Sequence, residues 1–127
     1  MDSLGHVNNT VYLIWAETNR VDYLIRIGMW EGLAVQQVGP IMASISCDYR
    51  RPADYPDTIW VGARVTSVGN ASFRMAHTIW SEKLEAVVAE LDSAIVLLDY
   101  RSGKSVRIPD RLRQAIRDLE NKDVPGL

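Results

Sequence analysis

Apolar residues early in the chain recur at three- and four-residue intervals. Val11, Ile14, Trp15, Thr18, Val21, Ile25 and Gly28 keep that spacing, and Leu13, Leu24 and Ile27 widen the stripe. This is the period of an amphipathic helix, predicted from about Thr10 to Ile27. Asn8 or Asn9 offers a side-chain oxygen to a free backbone N–H at its start. Gly28 suits the C′ position beyond its last turn. A helix this apolar must be largely covered, as one wrapped by a sheet would be. Asp22 and Arg26 stand four apart in the favourable order for a surface ion pair, worth about 0.3 kcal/mol.

After a glycine-containing loop the period changes to two. Ile41, Ala43, Ile45, Cys47 and Tyr49 alternate with Met42, Ser44, Ser46, Asp48 and Arg50, the pattern of a half-buried strand. The stretch RRPADYPD breaks it with two prolines. TIWVGARVTSV reads as a second strand, and Gly69-Asn70 turns it into a third, SFRMAHTIW, as a hairpin. A polar turn from Glu82 to Glu85 precedes a long fourth strand, AVVAELDSAIVLLDY. Pro109 then opens a short helix with Leu112, Ala115 or Ile116, and Leu119 on one face. One long helix, four antiparallel strands and a terminal helix predict an α+β layer architecture, with the sheet curled around the long helix.

At 127 residues the chain is expected to form a single domain, 1–127. A net charge of −2, with Arg50-Arg51 the one adjacent basic pair, gives no electrostatic footprint for nucleic acid. The single cysteine, Cys47, precludes an internal disulfide and fits a reducing, cytoplasmic setting. Two histidines and one cysteine are too few for a protein-only zinc site of the usual N/S type. No apolar run is long enough to span a bilayer, and the N-terminus lacks the pattern of a signal peptide. The expected protein therefore has neither nucleic acid nor membrane as a partner.

The opening residues carry a more specific signal. Asp2, Gly5, His6, Val7, Asn8, Asn9, Tyr12, Trp15 and Glu17 form D-x-x-G-H-V-N-N-x-x-Y-x-x-W-x-E. This resembles the signature of hotdog-fold acyl-CoA thioesterases, in the 4-hydroxybenzoyl-CoA thioesterase-like branch. YRRPADYPD resembles that family's Tyr-x-x-Pro-x-x-x-x-Asp connection between strands, and the likeness covers nearly the whole chain. It implies a hotdog fold, a long central helix wrapped by a curved antiparallel sheet. Family members carry a strand immediately before the Asp. None is visible here, so a first strand missing from the sheet is expected.

The resemblance also implies a reaction, cleavage of acyl-CoA thioesters to a free acid and coenzyme A. Coenzyme A enters as part of the substrate, and no metal or redox cofactor is called for. Asp2 would be the catalytic carboxylate, as nucleophile or as base toward water. Its place just upstream of a helix N-terminus independently favours an anion. The backbone N–H near Asn9 would polarise the thioester carbonyl, a kind of donor whose loss typically costs about 3 kcal/mol of barrier.

His6 is a candidate for orienting the acyl group or the water, against the plainer role of a loop histidine bonded to backbone. Asn8 is a candidate for holding the substrate loop, although capping alone would explain it. Tyr12 and Trp15 face one way and are candidates for an acyl-pocket wall or for the core. Arg50 and Arg51 suit the phosphates of coenzyme A, and adjacent arginines at a strand end suit solvent equally. Glu17 reads as an exposed partner of Arg20 rather than a buried base. His77 and Cys47 read as core or interface residues. At least a dimer is implied, and a homotetramer is common in the family. An acyl-carrier-protein thioesterase and a non-catalytic acyl-thioester binding protein are the competing readings.

Overall fold

Six elements follow one another along the chain: α1 (Asn9–Arg26), β1 (Val38–Tyr49), β2 (Ile59–Val68), β3 (Ser72–Ser81), β4 (Ala86–Asp99) and α2 (Asp110–Glu120). A computed structural model describes residues 7–30 and 37–127. Asp2, His6 and the question of a strand ahead of Asp2 lie outside the described residues. The four strands form one antiparallel sheet in the order β1-β4-β3-β2, the α+β architecture expected from the sequence.

Helix α1 begins where Asn8, in extended conformation, accepts a hydrogen bond from the Thr10 N–H through its side chain at 2.9 Å. It ends at Gly28, whose φ of +81° is open to glycine at little steric cost. Asp22 and Arg26 make the expected pair at 2.9 Å. The covered face is not the expected one. Tyr12, Ala16, Arg20, Tyr23 and Leu24 are buried, whereas Ile14, Val21 and Ile25 are exposed. The helix carries apolar residues on two sides, and the sheet takes the one on which Arg20 interrupts the apolar spacing.

Strand β1 corrects a second expectation. Its register against β4 slips between Met42 and Ser44, so Ala43 forms a bulge. A bulge sets two residues against one and resets the alternation beyond it. Met42, paired with Ile95, therefore shares the helix-facing side with Ile45, Cys47 and Tyr49 instead of lying opposite them.

Two apolar clusters fill the space between α1 and the sheet. One gathers Tyr23, Leu24, Ile27, Phe73, Met75 and Ile95 with Leu112 and Ile116 of α2. The other gathers Tyr12, Ala16, Ala53, Ile79, Val88 and Leu91 near the start of α1. Between them lies a polar seam of buried Arg20, His77 and Ser93, with Asn19 bonded to His77. Helix α2 buries Leu112 and Ile116 but leaves Leu119 exposed. Its neighbour Glu120 instead accepts a 2.6 Å hydrogen bond from the Tyr23 hydroxyl, tying α2 to α1.

Candidate active site

The start of α1 and the end of β1 meet. The Tyr49 hydroxyl donates to the Asn9 carbonyl at 3.1 Å. The Tyr12 ring stacks edge-on to both Trp15 and Tyr49, with centroids 5.4 and 5.5 Å away. Val7 is pinned by its N–H to the Ala53 carbonyl at 2.8 Å. These contacts enclose a cavity of about 260 Å³ lined by Val7, Asn9, Tyr12, Tyr49, Arg50, Arg51 and Pro52. Four residues singled out in the sequence, Asn9, Tyr12, Arg50 and Arg51, thus share one wall. Asn8 stands beside it as the helix cap. Asp2 and His6 lie outside the described residues.

The cavity opens at a helix N-terminus, where unsatisfied backbone N–H groups and the helix dipole favour negative charge. The Thr10 N–H is taken by Asn8 and the Val11 N–H by the Asn8 carbonyl at 2.9 Å. The Asn9 N–H makes no hydrogen bond among the described residues.

The two arginines differ. Arg50 is exposed and held by Glu90 at 2.8 Å, with Asp48 at 3.9 Å. The Glu90 carboxylate raises its pKa further. Its charge is already answered. Arg51 has no side-chain partner among the described residues, so its guanidinium fork is the one open to an anion. Lys83, across the connection, is paired with Asp54 at 2.7 Å.

The connection from β1 to β2 is braced at Asp57, the last residue of its motif. Asp57 accepts from the Ser81 hydroxyl and, at 2.9 Å, from the Lys83 N–H. These hydrogen bonds hold its carboxyl below the usual range. Tyr12 reaches the same segment. Its buried hydroxyl accepts the Ala53 N–H at 3.0 Å. Tyr12→Phe would orphan that buried N–H and is expected to destabilise the protein by about 1–3 kcal/mol, measurable by urea denaturation. Tyr12 is therefore both core and cavity wall. Tyr49 was not predicted as a site residue, although its position in the Tyr-x-x-Pro-x-x-x-x-Asp motif was the available signal.

The thioesterase-like superfamily matches residues 1–116. The chain belongs to that superfamily. A Thermus thermophilus thioesterase, solved with coenzyme A and Zn, is 31% identical and superposes with a TM-score of 0.84 over 98% of this chain and 88% of that one. The PA5185 protein of Pseudomonas aeruginosa is 33% identical, with a TM-score of 0.81 over 94% of this chain and 82% of its own. The long-chain acyl-CoA thioesterase FadM of Escherichia coli is 24% identical over 119 residues, 94% of this chain and 90% of FadM. The fold is the hotdog α+β fold, and the enzyme is a thioester hydrolase.

Proposed function

We propose that the thioester cleaved is that of an acyl-CoA, yielding a free carboxylic acid and coenzyme A. The supporting observation is that the free Asn9 N–H and the unpaired Arg51 border one cavity. A thioester carbonyl at Asn9 and phosphates at Arg51 would use two groups of this cavity that have no partner among the described residues. In this reading Asp2 takes a proton from water, whose oxygen adds to the acyl carbon, or attacks that carbon itself to form an anhydride that water then hydrolyses. The Asn9 N–H binds the oxyanion, the C–S bond breaks and the thiolate leaves to be protonated. His6 orients the acyl group or water, and Asn8 holds the loop.

The reaction as written requires neither metal nor redox cofactor. Hydrolysis of aliphatic and aromatic acyl-CoAs, followed by chromatography of released coenzyme A, tests it. Turnover that survives dialysis against a chelator is expected. A panel without any turnover would overturn the assignment.

The working form is a cytoplasmic homodimer in this proposal, with dimers able to pair into a tetramer. Strand β1 supports it: it is an edge of the sheet that the described residues form, and Ile41 and Met42 on it are 39% and 45% exposed. Among the described residues, no helix is long and apolar enough to cross a membrane. Light scattering on the purified chain should give at least twice the mass of the 14.3 kDa protomer. A monomer at micromolar concentration would rule the dimer out.

A further inference from the structure

A groove runs between α1 and the free edge β1, away from the site at the helix start. It holds two adjoining cavities. One of about 310 Å³ is walled by Leu13, Ile14, Met42 and Ile45, and one of about 250 Å³ by Val21, Leu24, Trp30 and Ile95. Both share Glu17 and Arg20. The walls are otherwise those of a channel for hydrocarbon.

Arg20 does not fit such a channel unless something answers it. The side chain is 7% exposed, and its Nη1 is buried without a hydrogen-bond partner. None of the carboxylates among the described residues forms an ion pair with it. Glu17 is exposed and acts on Arg20 only through space. Beside Arg20, His77 Nε2 and Ser93 Oγ are also buried without partners. A buried guanidinium lacking a counter-charge is costly, and a carboxylate is the group its planar fork matches best.

The geometry points to Arg20 as the residue that recognises a carboxylate at the far end of the acyl chain, making ω-carboxyacyl thioesters the preferred substrates. This rests on the acyl-CoA reading above, with the thioester carbonyl at Asn9. Eleven residues of helix separate Asn9 from Arg20, a rise of about 17 Å. An extended carbon chain advances about 1.25 Å per bond, so roughly 13 bonds cover that distance. The length selected is accordingly about 12 to 14 carbons.

The test compares the coenzyme A thioesters of monocarboxylic and α,ω-dicarboxylic acids of 8, 12 and 16 carbons. One charge-assisted contact predicts a kcat/KM ratio of roughly 10 to 100 in favour of the ω-carboxyl substrate at 12 carbons. In Arg20→Leu the ratio should fall to about one, with Arg20→Lys between. A ratio near one in the wild type, or one kept by Arg20→Leu, overturns the inference while leaving the hydrolase intact.

Binding gives a reading independent of turnover. Dodecanedioate should quench Trp30 fluorescence at concentrations at least tenfold lower in the wild type than in Arg20→Leu, with the signal lost in Trp30→Phe. Equal binding by the wild type and Arg20→Leu would mean that Arg20 meets no carboxylate, which also overturns the inference. A wild type that hydrolyses none of the panel, yet binds dodecanedioate through Arg20, would refute the acyl-CoA reading alone.

Discussion

Asp2→Asn is expected to lower kcat by about 10²–10⁴, the usual contribution of a positioned acid or base, with no loss of folded protein. The amide keeps the size of the carboxylate but neither attacks a carbonyl nor accepts a proton from water at neutral pH. Two observations support placing this chemistry at the start of α1. Val7, five residues after Asp2, is fixed to Ala53 and lines the cavity. The Asn9 N–H on the same wall is free to take an oxyanion. Substituting the Asn9 side chain should change far less, since the donor proposed there is a backbone N–H. Released coenzyme A should be measured by chromatography, because a thiol reagent would also report free Cys47. A variant retaining more than about a tenth of wild-type kcat would move the catalytic role away from Asp2.

The sequence pattern located the elements because their signals are local. Asn8, Gly28 and the Gly69-Asn70 turn each act within a few residues, and all lie where spacing put them. What the pattern missed depends on contacts distant in sequence. Nothing local chooses between the two apolar sides of α1. The side the sheet selects contains Arg20, which breaks the apolar period and hid that stripe. In β1 the bulge at Ala43 has no glycine to mark it, and the alternation of Ile41 to Tyr49 reads cleanly through it. Of the cavity residues, Asn9 and Tyr12 were legible through the opening motif and Arg50 and Arg51 through the affinity of guanidinium groups for phosphate, whereas the Arg20–His77–Ser93 seam was not. Polar side chains on otherwise regular elements read as solvent-facing until a tertiary neighbour covers them.

That seam sets the largest expected response of stability to acid. His77 is 1% exposed, its Nδ1 lies 2.9 Å from Asn19 Oδ1 and its Nε2 has no partner. The neutral ring suits these surroundings, with the Nδ1 proton given to Asn19. Burial, aided by the nearby positive charge of Arg20, lowers the His77 pKa to about 4 from an ordinary 6.5. The unfolded chain therefore binds a proton at a pH where the folded one does not, and stability must fall between those values. The contribution is complete above about pH 6.5 and is lost as pH drops toward 4, amounting to roughly 3 kcal/mol. Urea denaturation of the wild type and His77→Gln at pH 7, 5.5 and 4 isolates this effect, because other acid-sensitive groups are common to both. The wild type should lose about 3 kcal/mol more than the variant between pH 7 and 4. Parallel pH profiles would mean that His77 takes up its proton inside the folded protein without penalty, which the adjacent Arg20 and the unpartnered Nε2 argue against.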